Sequence, residues 1–79
     1  MTRALDLRES MKTVMPTMIR DNLELCGMSV DDLGKAMGIH NSNIYNWVSG
    51  KCLPSLPATT AMARIFGTTV ELLATGEEA

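Results

Sequence analysis

Five glycines, Gly27, Gly38, Gly50, Gly67 and Gly76, each close a stretch whose apolar residues recur at helical spacing, and they cut the chain into short rods. A chain punctuated this way folds as a cluster of short helices joined by tight corners. Its 79 residues make one domain, and domains of this size bury only ~60% of their unfolded surface, so stability is expected to be modest. The 46% hydrophobic content comes from Met, Leu, Ile and Ala, with one Phe, one Tyr and one Trp. That mix favours helices over strands. The expectation is an all-α bundle of five helices, or six if the N-terminal stretch forms a short helix of its own.

Between Ala4 and Val14, Leu7, Met11 and Val14, continued by Met15, fall on one helical face while Arg8, Glu9 and Lys12 point elsewhere, which predicts a short leading helix. Pro16 suits the first turn of a new helix, where its missing N–H is not needed. Met15, Met18, Ile19, Leu23 and Cys26 then make an i, i+3, i+4 stripe that stops at Gly27. Residues 1–15 are therefore read as a leader, 16–76 as the folded domain and 77–79 as an acidic tail or the start of a linker. Ser29 with Asp32 three residues on predicts a capping box opening helix two. The apolar face of that helix is Leu33 and Met37, with Gly34 beside them where a neighbouring element can approach closely.

Only Ile39 and His40 separate helix two from the next pattern. Over residues 41–49, Ile44, Trp47 and Val48 fall within about 100° of arc, and Ser42, Tyr45, Asn46 and Ser49 fall on the opposite face. Trp47 shares the Ile44 side, so it is read as core and as a folding probe rather than as a binding aromatic. The opposite face offers hydroxyls, amides and a phenol to something outside. After Gly50 and a loop over Lys51 to Pro54, Ser55 and Pro57 open a fourth helix with Met62, Ala63 and Phe66 inward. Thr69 caps a last short helix carrying Val70, Leu72 and Leu73.

A helix, a turn of three or four residues containing glycine, and a second short helix with a polar outer face form the helix-turn-helix arrangement. Its second helix can lie in a DNA major groove about 12 Å wide while the first crosses the phosphate backbone. From about Ile19 to Glu77 the chain resembles the lambda-repressor-like (XRE) helix-turn-helix domains. The resemblance is carried by Gly27-Met28-Ser29, Leu33, Met37-Gly38-Ile39, Ile44 with Trp47, Ser49-Gly50-Lys51, Pro54-Ser55-Leu56, Met62-Ala63, Phe66-Gly67 and Leu73-Ala74-Thr75-Gly76-Glu77. It implies a compact bundle of the lambda-repressor type. It also implies that His40, Asn41, Ser42, Tyr45, Asn46 and Ser49 face base edges and nearby phosphates.

Asn46 is the favoured base reader, since an amide pairs bidentately with adenine N6 and N7, and Asn41 is the second choice. Tyr45 suits a phosphate or a thymine methyl. Ser42 is grouped with the base-facing residues, although Ser42 and Ser49 more readily orient the backbone than specify a base. His40, Ser49 and Lys51 are assigned to phosphates or the edge of the contact. The chain departs from the family pattern at Val30, where a DNA-touching glutamine is common, and at Gly34, where alanine is usual. Thr59 and Thr60 stand where aliphatic residues are common in helix four, which predicts a weaker core there. No arginine appears in helix three, which argues against guanine-rich sites.

The expected role is a sequence-specific transcription regulator of the repressor kind, of phage or prophage type. It is expected to bind an inverted-repeat operator in double-stranded DNA as a homodimer, with dimerisation supplied by a further C-terminal domain if the chain is part of a longer repressor. Against this stands the charge: seven Lys and Arg against nine Asp and Glu leave a net charge of −2, unlike the basic footprint of an avid nucleic-acid binder. That balance supports the alternative, an antitoxin-like or adaptor module whose polar face meets a protein partner. Enzymatic activity is not expected, because one histidine and no nucleophile-base set, phosphate loop or metal cluster leave no catalytic residues, metal ligands or cofactor site to name. Cys26 and Cys52 lack partners at metal-ligand spacing and give no disulfide framework, which fits a reducing compartment. With no apolar run near ~20 residues and no signal-peptide stretch, the expectation is a cytoplasmic protein without a membrane span.

Overall fold

The computed structural model describes the backbone of residues 4–77 and the side chains of residues 11–77. Over these the chain folds into five helices: α1 (Ala4–Cys26), α2 (Val30–Met37), α3 (Asn41–Val48), α4 (Leu56–Phe66) and α5 (Val70–Thr75). There is no strand among the described residues, and no helix among them is long and apolar enough to cross a membrane. The Leu7 side chain of the leader, and Glu78 and Ala79 of the tail, lie outside the described residues.

One boundary differs from the sequence expectation. The leading helix and helix one are a single rod of 23 residues that runs through Pro16. A proline inside a helix leaves the carbonyl four residues earlier without its donor and ordinarily costs ~3 kcal/mol. Here the offset is burial: Pro16 is buried, Met15 is 1% exposed and Ile19 is 0% exposed, and burying a side chain of that size is worth ~1.5–3 kcal/mol. At ~1.5 Å per residue α1 is about 34 Å long, close to the 38 Å long dimension of the molecule. The other helices gather along it: α3, α4 and α5 pack on α1, α2 packs on α3 and α4, and α4 packs on α5.

Every helix sends a residue into one core. Ile19 and Leu23 come from α1, Leu33 from α2, Ile44 and Trp47 from α3, Met62, Ala63 and Phe66 from α4, and Leu73 from α5. Methionine fills irregular gaps between these rods, with Met62 fully buried and Met18, Met28 and Met37 packed against the cluster. Thr59 is buried, and its hydroxyl donates to the Ser55 carbonyl at 2.9 Å, which satisfies the polar atom. Thr60 does the same with the Leu56 carbonyl at 2.9 Å.

Candidate nucleic-acid interface

The polar surface begins with the local chemistry that opens α2. The Ser29 hydroxyl accepts the Asp32 N–H at 3.0 Å, and the Asp32 carboxylate accepts the Ser29 N–H at 3.0 Å, so the predicted capping box forms in both directions. The backbone N–H of Ser29, then its side chain, hold the Asp32 carboxyl below its ordinary range, with a smaller contribution from Lys35. At the other end Gly38 takes a left-handed conformation, φ +71°, and the Ile39 N–H returns to the Gly34 carbonyl at 3.0 Å. This bond folds the turn back over Gly34. A Cβ at Gly34 would sit 3.0 Å from the Ile39 carbonyl oxygen and 3.6 Å from Ile44 Cδ1. The glycine is the close-approach point that sets the angle between α2 and α3.

His40 caps α3. Its Nδ1 accepts the Ser42 N–H at 3.2 Å and lies 2.9 Å from the Ser42 hydroxyl, while its carbonyl receives the Asn43 N–H at 3.2 Å and the Asn43 amide at 3.4 Å. The Asn41 amide donates across the turn to the Asp31 carboxylate in the first turn of α2. The polar groups at the start of α3 are thus committed to one another and to α2.

The C-terminal part of α3 is different. Ile44 is 0% exposed and Trp47 is 8% exposed, so both point inward, and Val48 packs partly buried against the same core. Tyr45 turns outward with half its surface exposed, and Asn46 is partly buried beside it. The Asn46 carbonyl is heavily used: it accepts the Lys51 N–H at 3.0 Å, the Cys52 N–H at 3.3 Å and the Ser49 hydroxyl at 3.2 Å. Its side-chain amide has no hydrogen-bond partner among the described residues, and neither does the Tyr45 hydroxyl. Lys51, exposed on the loop after α3, makes no ion pair among the described residues. The backbone is therefore fixed where the side chains are free.

Of the residues singled out from sequence, Tyr45 and Lys51 are exposed and Asn46 half-buried, and the polar ends of their side chains have no partner among the described residues. Asn41, His40, Ser42 and Ser49 lie at the same surface with polar groups engaged. Asn43 was missed; it is exposed three residues before Asn46, on the same side of the helix by i, i+3 spacing, which is the signal that points to it. Asp31 was missed as well, and its role depends on a contact ten residues away that no local pattern encodes. Between α2 and α3 lies a shallow concavity of about 300 Å³ lined by Asp31, Gly34, Lys35, Ile39, His40 and Asn41. No group of His, Cys, Asp and Glu among the described residues is arranged to hold a metal ion. Cys26 and Cys52 are both free and exposed.

A family model described as a helix-turn-helix domain matches residues 6–75. No curated protein and no solved structure matches the chain.

Proposed function

The chain belongs to the helix-turn-helix domain family, and from that premise we propose that it is a sequence-specific DNA-binding regulator, a repressor of the lambda-repressor-like type, that reads the major groove with α3. One observation supports this reading: Ile44 and Trp47 anchor α3 from inside, while Tyr45 is exposed and the half-buried Asn46 has an amide with no partner among the described residues. A helix held this way by α2 across a glycine corner has the width to enter a groove about 12 Å across.

Asn46 reads a base, with adenine the best match for a bidentate amide, and Asn41 reads a second position. Tyr45 meets a phosphate or a thymine methyl. Ser42, His40 and Ser49 hold the helix ends where they meet the backbone of the duplex, and Lys51 neutralises a phosphate. Two copies on an inverted repeat place their half-sites ~34 Å apart, one turn of the duplex. The site of action is the cytoplasm of a bacterium or phage-infected host. With seven cationic side chains in a chain of net charge −2, few phosphates are neutralised, and the salt dependence of binding is shallow.

A second reading is supported by a different part of the surface. Leu25 is 83% exposed beside Asp21 and Glu24 near the end of α1, an apolar and acidic patch suited to a protein partner rather than to DNA. Selection of bound sequences from a random duplex pool, followed by titration at two salt concentrations, separates the two readings. The DNA reading expects an enriched symmetric motif, and Lys51→Ala weakening all duplexes alike while lowering the salt slope by about one phosphate. No enrichment, with no duplex bound at low salt even by an artificially dimerised chain, overturns it in favour of a protein-binding module.

A further inference from the structure

Asp31 carries a negative charge at the seam where α2 meets the start of α3, the place where a DNA-binding surface gains least from an acid. It forms no ion pair among the described residues, although Lys35 lies one turn further along the same helix and lines the same concavity. Its carboxylate instead accepts the amide of Asn41. An ionised carboxylate has only acceptors to offer, so it is the NH2 end of Asn41 that must face it. The amide is thereby oriented: its nitrogen is drawn toward α2, and its carbonyl oxygen is directed away from Asp31.

The backbone around the pair leaves little room for other arrangements. The Ile39 N–H is bonded to the Gly34 carbonyl, and the close approach at Gly34 brings the Asn41 backbone nitrogen within 3.6 Å of where a Cβ would stand. Asn41 therefore has a fixed Cα position and one side-chain donor already assigned. Asn46 has its Cα position fixed too, but its amide is unassigned.

We infer that Asp31 is a positioning residue for DNA recognition, an inference that rests on the reading proposed above: by holding the Asn41 amide nitrogen it presents the Asn41 carbonyl oxygen to the groove, where it selects a base edge bearing an amino group. Adenine N6 and cytosine N4 are the major-groove amino donors. The acid weakens attraction to phosphate at the same time, so Asp31 trades general affinity for discrimination. Asn46, with no such partner among the described residues, keeps both ends of its amide available and reads by a different rule.

The test uses the duplex that the wild-type chain selects from a random pool, and a second duplex altered at the base pair where Asn41→Ala loses preference. The ratio of the two affinities is measured for wild type, Asp31→Ala, Asp31→Asn and Asn41→Ala, with a Trp47 fluorescence melt confirming that each variant is folded. Asp31→Ala is expected to lower the ratio by about tenfold. Asp31→Asn, whose amide oxygen still accepts the Asn41 bond, is expected to keep the ratio while binding both duplexes more tightly. In an Asn41→Ala background Asp31→Ala is expected to change the ratio no further.

The inference is overturned if Asp31→Ala keeps the wild-type ratio, if Asp31→Asn loses it as fully as alanine does, or if Asn41→Ala leaves preference intact at every position. A wild-type chain that binds all duplexes equally is a distinct outcome. It removes the DNA-reading function itself, and this inference with it.

Discussion

The two halves of α3 carry similar residues and use them in opposite ways. In the first half His40, Asn41, Ser42 and Asn43 spend hydrogen-bonding groups on capping the helix and tying it to α2. In the second half the local bonds converge on the Asn46 carbonyl, and the Tyr45 hydroxyl and the Asn46 amide have no partner among the described residues. Position on an outward face therefore does not by itself identify a recognition residue. What separates the two halves is whether the local hydrogen bonds engage side chains, which orients them, or converge on the Asn46 carbonyl, which leaves the neighbouring side chains unassigned among the described residues.

The largest effect is expected at the residue on which both halves depend. Ile44→Ala removes a fully buried side chain between them and is expected to cost ~2–5 kcal/mol of stability, measured by urea unfolding followed through Trp47 fluorescence. A loss below ~1 kcal/mol would mean that the two halves are held independently of this anchor. Asn46→Ala is expected next, with ~1–3 kcal/mol of base discrimination lost in paired-duplex titrations and stability unchanged within ~0.5 kcal/mol. If stability fell and discrimination did not, the second half would serve the fold and not recognition.

His40→Ala should do the reverse, costing about 1 kcal/mol in unfolding experiments as the cap of α3 is lost, with the ranking of preferred bases unaltered. The smallest effect concerns the capping box that opens α2. The folded Asp32 carboxyl titrates below its usual value because Ser29 hydrogen-bonds its charged form. Its contribution to stability is therefore present in full above the unfolded value and is lost as pH falls through the lower folded one. The stability difference between wild type and Asp32→Asn should accordingly shrink below pH about 4. A difference independent of pH across that window would show that the box does not depend on the carboxylate charge.

Much of the fold is written locally. Ser29 with Asp32, Ser55 with Pro57 and Thr69 mark three helix starts, and Gly38, Gly67 and Gly76 mark three ends, all at the residues where the structure has them. These signals are legible because caps are satisfied within three or four residues of chain. The inward turn of Ile44 and Trp47 follows from helical period alone. Pro16 misled for a tertiary reason: a helix start is its cheapest position, but burial of Met15, Pro16 and Ile19 makes an unbroken rod favourable instead. The engagement of Asn41 was hidden because its partner lies ten residues away, across a turn whose closeness depends on Gly34 lacking a side chain.

Pro16 has one more effect, on how the end of α3 is seated. By giving no N–H to the Lys12 carbonyl it leaves that oxygen bare of its usual helical partner, and the corner after α3 nestles there: a Cβ on Gly50 would lie 3.7 Å from both the Lys12 oxygen and the Pro16 ring. The far end of α3 is thus seated in a notch of the longest rod in the molecule. The direction in which Tyr45 and Asn46 are presented is therefore set from two sides, by α2 across the Gly34 approach at one end of α3 and by the middle of α1 at the other.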